Sequence, residues 1–378
     1  MKIVLAPDSF KGSASAAALC QAMEAGIRSA VPDAAIVKLP MADGGEGTMD
    51  NLVYATGGRM IEAPTSDPLG RPITGRYGVL GDGGTVIIEL AEASGLTRLE
   101  QHERDPRRAS TYGTGLLLRH ALASGYRSFI VGLGGSATND GGAGMLQALG
   151  LRLLDASGAE LAPGGAGLSE LAAIDDTGWD ARIRESRFVI ASDVRNPLLG
   201  PEGATSVFGP QKGADAATVQ ELDDALRQFA AKLQAWTGIE VASVPGSGAA
   251  GGAGAALLAC FGAEMRSGAQ LVMEALRFKE QLAGADWVVT GEGRLDSQTE
   301  AGKVISAVCE AAGEAHVPVI ALCGSVDPAP GLARRMGLTA AFSLVPGPCT
   351  LEEAILSAEE WIEAKTEHVF RLIAAAQA

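Results

Sequence analysis

The chain of 378 residues reads as an α/β protein, a doubly wound parallel sheet with a second, mixed α/β domain inserted into it. Three observations predict this. Short apolar runs rich in Val and Ile alternate with stretches of helical spacing, the signature of βα units and a parallel sheet. Between residues 59 and 92 the pattern changes: Asp67-Pro68-Leu69-Gly70 and Gly81-Asp82-Gly83-Gly84 punctuate extended runs, as in antiparallel hairpins. From Asp286 onward the clean βα alternation of the first sixty residues returns. Residues 1–62 and 285–378 are therefore expected to form one discontinuous domain around an insert of 63–284, although two consecutive domains would produce the same pattern.

In chain order, strands are expected at Ile3–Ala6, Ile36–Leu39, Val86–Leu90, Phe129–Gly132, Phe188–Ala191, Trp287–Thr290, Val317–Leu322 and Ala340–Leu344. Apolar residues at helical spacing place helices at Ser15–Ala30, Thr48–Thr56, Tyr112–Ala123, Ala216–Trp236, Thr299–Ala312 and Leu351–Ala375. The run Val241–Ala263 holds six glycines and a proline but no charge. It reads as a small-residue helix packed inside the fold, since it has too little apolar bulk to cross a bilayer. The outer domain belongs to the Rossmann- or flavodoxin-like class.

Fifty glycines, about 13% of the chain, are roughly double the usual ~7% and follow no repeat period. They predict many tight loops where the backbone approaches something closely. Net charge is −15, from 30 Lys and Arg against 45 Asp and Glu. That field would repel a polyphosphate backbone, so nucleic acid is excluded as a partner. The five cysteines are odd in number and lack CxxC spacing, which reads as reduced thiols in a cytoplasmic protein. The start, Lys2-Ile3-Val4-Leu5-Ala6-Pro7-Asp8, is too short an apolar run for an export signal, and no membrane partner is expected.

Ligands of open α/β sheets bind where loops leave the carboxyl ends of strands. Those loops here are Pro7–Ser13, Asp43–Thr48, Gly134–Gly142 and Gly291–Asp296, each combining glycine with carboxylate. Bare N–H groups and a helix start attract anions. Carboxylates in the same place would repel phosphate unless a hard divalent cation lay between them. Together these make the inventory for phosphoryl transfer from a metal-bound nucleotide.

The pattern Asp-Gly-Gly-x-Gly occurs at Asp43–Gly47 and Asp140–Gly144, both times ahead of a helix. An N-cap with a glycine turn would suffice, yet each glycine in a first turn costs about 1 kcal/mol against Ala, which favours ligand contact. Asp82-Gly83-Gly84 lies between strands and is a structural turn. Lys11, between Ser9 and Gly12-Ser13, fits either a solvated loop or an anion contact, and the same pair of readings holds for Lys212 and Lys303. Asp193, at a strand end with Asn196 close behind, fits a metal ligand, a general base or an Asx-turn.

Rival signals are weaker. Gly132-Leu133-Gly134-Gly135-Ser136-Ala137 follows a strand and Asp155 comes eighteen residues later, which imitates a dinucleotide fingerprint. Thr138–Gly142 then intervenes before too short a helix. An NAD-dependent oxidoreductase remains one alternative class and a non-catalytic anion-binding protein another. No GxxxxGK[ST], HExxH or GxSxG motif occurs, which argues against P-loop NTPases, zinc hydrolases and serine esterases. His102, His120, His316 and His368 are scattered.

Taken together, Ala6–Ser13, Met41–Thr48, Gly132–Gly142, Phe208-Gly209-Pro210-Gln211-Lys212-Gly213 and Thr290–Asp296 closely resemble the type I bacterial glycerate kinases, over residues 1 to about 375. The resemblance implies a two-domain α/β enzyme with its active-site cleft between the domains. Its activity would be ATP- and Mg²⁺-dependent phosphorylation of D-glycerate at the 2-hydroxyl, with the 3-hydroxyl as alternative. One departure is Arg195 in Asp193-Val194-Arg195-Asn196-Pro197, where the family pattern has a second Asp.

On this reading Lys11 meets the transferring phosphoryl group or the substrate carboxylate. Asp193 is the first choice for general base and Asp296 for metal binding, with Asp8 and Glu292 as alternates. Ser9, Asp43, Gly44, Gly45, Glu46, Gly47 and Thr48 on one side and Gly134, Gly135, Ser136, Thr138, Asn139, Asp140 and Lys212 on the other bind substrate or phosphate. A monomer or homodimer is expected.

Overall fold

In the computed structural model, which describes residues 1–296, 304–327 and 331–377, the chain forms two units. The first comprises Met1–Asp43 and Ser267–Ala378, the second Gly44–Arg266. Lys303 lies outside the described residues.

The first unit is built on five parallel strands in the order Ala340–Ser343, Val319–Cys323, Trp287–Gly291, Lys2–Pro7 and Ala35–Lys38. The first helix, Ala16–Ala30, starts where Ser15 accepts a hydrogen bond from the Ala18 N–H at 3.1 Å. Its apolar stripe of Leu19, Met23 and Ile27 is buried with Ile3 and Leu5 from the strands and Ile362 and Phe370 from the C-terminal helix Ala358–Gln377. A Cβ on Gly26 would stand 2.3 Å from the Glu363 carbonyl, so glycine sets how closely the two helices cross. The expected C-terminal helix is broken in two, Leu351–Leu356 and Ala358–Gln377, around Ser357. The helix expected from Thr299 is described from Val304 to Glu314.

The second unit has a six-stranded mixed sheet in the order Glu264–Arg266, Arg187–Ala191, Ser128–Gly132, Thr85–Glu89, Pro72–Val79 and Arg59–Ser66. The last three form the antiparallel meander expected from the turn residues, and the first four run parallel. Asp82 makes the turn by accepting from the N–H groups of Gly84 and Thr85 at 2.9 and 2.8 Å. Phe188 stacks on Phe129 and meets Phe261 edge-on, each with ring centroids 4.9 Å apart. The helix Ala216–Thr237 adds Leu222, Leu226, Phe229 and Leu233 to this core. Truncating Phe229 to Ala would cost about 3–5 kcal/mol. Val241–Ala263 is helical only over Ala253–Phe261, because Gly246, Gly251 and Gly252 hold positive φ and carry the chain through turns first.

The unit boundaries fall at 43/44 and 266/267, where the sequence pattern had suggested 62/63 and 284/285. Side-chain contacts explain the difference. The helix Thr48–Thr56 lies on the second unit's meander, with Val53 so near Gly78 that a Cβ there would come within 2.3 Å of it. At the other end Lys279 pairs with Glu314 at 2.7 Å, tying that segment to the first unit.

Candidate functional site

In the first unit the order in which strands are added reverses between the neighbouring strands Lys2–Pro7 and Trp287–Gly291. From Lys2–Pro7 the chain moves to one side, to Ala35–Lys38, and from Trp287–Gly291 to the other, to Val319–Cys323. Pro7 and Gly291 are in register, and the Asp8 N–H donates to the Gly291 carbonyl at 2.8 Å. Asp8 and Glu292 thus leave their strands side by side at the switch point, where open α/β sheets place their ligands.

Beyond Asp8, Phe10 and Ala14 exchange two backbone hydrogen bonds of 2.9 and 3.0 Å, and Gly12 turns the chain at φ +77°. Buried Phe10 anchors this loop and leaves Lys11 at its tip. Lys11 Nζ lies 2.8 Å from Asp43 Oδ2. Desolvation pulls the Lys11 pKa down, but the carboxylates of Asp43, Asp8 and Glu292 outweigh it and hold the ammonium above its usual value. Asp8 moves the other way, up to about 7. Burial is the main cause, the Asp43 charge adds to it, and Lys11 and the Ser9 N–H, 2.7 Å from Oδ1, oppose it.

These residues form one wall of a cavity of about 1010 Å³ within the first unit. The polar wall is Asp8, Ser9, Lys11, Asp43, Glu292 and Asp296, the last paired with Arg294 at 3.3 Å. The same cavity has an apolar lining from the loop and helices after the last strand: Leu344, Val345, Leu351, Ile355, Ala358 and Trp361. Hard carboxylate oxygens around Asp8, already short of positive charge, suit a divalent cation such as Mg²⁺. Among the described residues no three Asp, Glu, His or Cys side chains are spaced to hold a metal unaided. Mg²⁺ does not require that, since it takes one or two carboxylates and completes its shell with phosphate oxygens and water.

The remaining expected site residues lie in the second unit, and several have structural work there. A Cβ on Gly44 would meet the Ala191 carbonyl at 2.5 Å, and one on Gly134 would meet Gly45 Cα at 2.3 Å. Backbone packing at the strand ends therefore requires both glycines. Thr48 is buried and donates to the Gly45 carbonyl at 2.7 Å, while Glu46 is exposed. At the helix start beyond Gly47, the Met49 N–H donates to Glu89 at 2.7 Å. Burial pushes the Glu89 carboxyl up to about 7. At this helix end the Met49 N–H is thus taken by a carboxyl group of the chain itself.

The second Asp-Gly-Gly-x-Gly copy is filled the same way. Asp140 is fully buried and accepts from Thr111 N and Oγ1, both at 2.8 Å, and from Gly142 N at 3.1 Å and Gly144 N at 3.2 Å. Its carboxyl oxygens cap this helix start from within the fold. Burial raises its pKa, and the four donors oppose the shift. Lys212, also buried, donates to Ser136 Oγ at 2.9 Å and the Thr138 carbonyl at 2.7 Å. Desolvation lowers its pKa to about 7 against the pull of Asp140. Asn139 donates to Thr205 Oγ1 at 2.9 Å, and Gly135 accepts from the Leu96 N–H at 2.9 Å. Gly134–Gly142 is thus a braced loop. Two buried oxygens in it, Thr138 Oγ1 and Asn139 Oδ1, have no hydrogen-bond partner. Asp193 stands half-buried just beyond the strand Arg187–Ala191.

Sequence reasoning missed Glu89 and the apolar wall. A glutamate closing the apolar run before Leu90 was a usable signal for the first; the wall left none, being ordinary hydrophobics of a C-terminal helical pattern.

A sequence profile described as the Glycerate kinase family matches residues 3–374. The Glycerate kinase of Bacillus subtilis (strain 168) is 48% identical over 363 residues, covering 96% of this chain and 95% of the relative. The Glycerate 2-kinase of Escherichia coli (strain K12) is 46% identical over 358 residues, covering 95% and 94%. A crystal structure of a Salmonella typhimurium LT2 protein, 47% identical, matches with a TM-score of 0.85 over 100% of this chain and 99% of that one. Among the described residues, no helix is long and apolar enough to cross a membrane.

Proposed function

The chain belongs to the glycerate kinase family, and on that premise we propose that it moves the γ-phosphoryl group of ATP, presented with Mg²⁺, to the 2-hydroxyl of D-glycerate. As a member of that family it is a kinase. The observation that carries the finer reading is the switch-point cavity, which Asp8, Asp43, Glu292 and Asp296 line together with a single lysine, Lys11. Phosphoryl transfer demands little covalent chemistry and much charge placement. Lys11 supplies positive charge for the γ-phosphoryl oxygens, and the carboxylates would supply hard oxygens to a divalent cation, which would offset the phosphate charge. The 2-position is supported by the E. coli relative's name.

The acceptor hydroxyl must lose its proton as its oxygen bonds to phosphorus and the bond to ADP breaks. Asp193, just beyond the carboxyl end of the strand Arg187–Ala191 in the second unit, is assigned that proton. In Asp193→Asn, kcat should fall far more than ATP affinity; a change confined to apparent Mg²⁺ affinity would make Asp193 a metal ligand.

Incubation with ATP, MgCl₂ and a panel of hydroxy acids, followed by ADP release and phosphorus NMR of the product, tests the whole reading. ADP released with D-glycerate and a 2-phosphoglycerate signal is the expected result. A 3-phosphoglycerate signal would move the acceptor position. A change in NADH absorbance without ADP would replace the kinase by an oxidoreductase.

A further inference from the structure

We propose that the first-unit cavity is the nucleotide site, with the adenine base against the apolar wall and the phosphates on the Lys11 side. This deepens the kinase reading by assigning one of its two substrates to a unit. The cavity, about 1010 Å³, is at the upper end of the ~300–1,000 Å³ that encloses drug-sized ligands. D-Glycerate is a three-carbon acid in which every carbon carries oxygen, so it has no apolar face to offer. A wall of Leu344, Val345, Ile355 and Trp361 would gain nothing from it. Adenine has two broad π faces, and stacking against apolar or aromatic side chains is favourable for any base.

The cavity is also polarised in the way a nucleotide is. Its apolar lining comes from residues after the last strand, while the charged lining of Asp8, Lys11, Asp43 and Glu292 comes from the ends of the first-unit strands and the loops beyond them. A nucleoside triphosphate matches both walls, with the base on one and the metal-bound phosphates on the other. A small hydroxy acid matches only the polar one.

Cys349 provides a built-in reporter. It lines the cavity and is exposed, whereas Cys20, Cys309 and Cys323 are buried and Cys260 is half-buried. In the intact chain, Mg²⁺ with a non-hydrolysable ATP analogue should slow N-ethylmaleimide alkylation of Cys349 at least fivefold. Adenosine alone should slow it in part, and tripolyphosphate or D-glycerate hardly at all. The second arm is Ala354→Glu, a helix-tolerated change that sets charge and bulk on the apolar wall. It should raise the KM for ATP at least tenfold and leave the KM for D-glycerate within twofold, with an unchanged thermal midpoint.

Shielding by D-glycerate but not by the nucleotide, or an Ala354→Glu defect confined to D-glycerate, would overturn the assignment. The two readings fail separately. Shielding by nucleotide without glycerate turnover would refute the substrate and keep the site. Turnover without shielding would refute the site and keep the reaction.

Discussion

Lys11 Nζ and Asp43 Oδ2 are 2.8 Å apart, joining the tip of the loop after the first strand to the residue that opens the first Asp-Gly-Gly-x-Gly motif. The lysine side chain is 60% exposed, so the pair contributes little to folding, about 1 kcal/mol or less. On the proposed reading its role is to hold a cation beside Asp43, Asp8 and Glu292, where an incoming phosphate would meet it.

Lys11→Met should therefore separate activity from stability. Removing one preorganised charge contact to a transition state costs about 10²–10³ in rate, and a loss of that size in kcat/KM is expected by an ADP-release assay. Chemical denaturation should move by about 1 kcal/mol or less. A variant with near-normal turnover would take Lys11 out of the site.

Glu89 gives a pH-dependent prediction. Its carboxyl is raised from 4.5 to about 7, so between those values the folded state holds a proton that the unfolded chain has released. Its favourable contribution is complete below about pH 4.5 and is lost as pH climbs through 7. Glu89→Gln cannot titrate and keeps an acceptor for the Met49 N–H. Measured by urea unfolding, its stability relative to the parent should rise by roughly 2–4 kcal/mol between pH 4.5 and 7.5, then level off. Glu89→Ala orphans that N–H and should instead cost about 1–3 kcal/mol at pH 5. A flat difference for the Gln variant would mean that Glu89 stays ionised at the helix end.

The sequence carried the strands, the meander and the loops where chemistry gathers because those signals are local. Runs such as Phe129–Gly132 must be buried, and Asp82-Gly83-Gly84 must turn. It also brought Asp8, Lys11, Asp43, Glu292 and Asp296 into view, since charged residues among glycines at strand ends have few other uses. Three features were not legible, each for the same reason. Whether Gly134 serves a ligand or a neighbouring backbone depends on Gly45, some ninety residues away. Whether the helix start at Thr48 is open depends on Glu89. The apolar lining of the cavity that Lys11 shares is contributed by residues 344–361, at the far end of the chain.

Asp140 tests the capping role directly. Its carboxylate satisfies three backbone N–H groups and the Thr111 hydroxyl, all buried. Asp140→Ala would strand them at about 1–3 kcal/mol each, so a total loss of about 3 kcal/mol or more is expected by denaturant titration. A phosphate-binding residue would behave oppositely, losing ATP or glycerate affinity while stability held. If Asp140→Ala unfolds at the parent's midpoint and only raises a KM, the capping account is wrong.

Lys212 offers the mirror image of Glu89. Its pKa is lowered from 10.5 to about 7, so above pH 7 the folded state has released a proton that the unfolded chain keeps until about 10.5. The penalty for burying the charge is complete below pH 7 and is relieved as pH rises through that window. Lys212→Met removes the titration along with the hydrogen bonds to Ser136 and Thr138. The parent's stability minus the variant's should thus increase with pH, by up to about 1.4 kcal/mol per unit between pH 7 and 9.5, while other titrating groups cancel in the difference. Guanidinium unfolding at pH 6.5, 8 and 9.5 reads it out. A difference that stays constant would show that Lys212 remains charged inside the fold, where it would be fit to hold a substrate carboxylate rather than to brace the loop from Gly134 to Gly142.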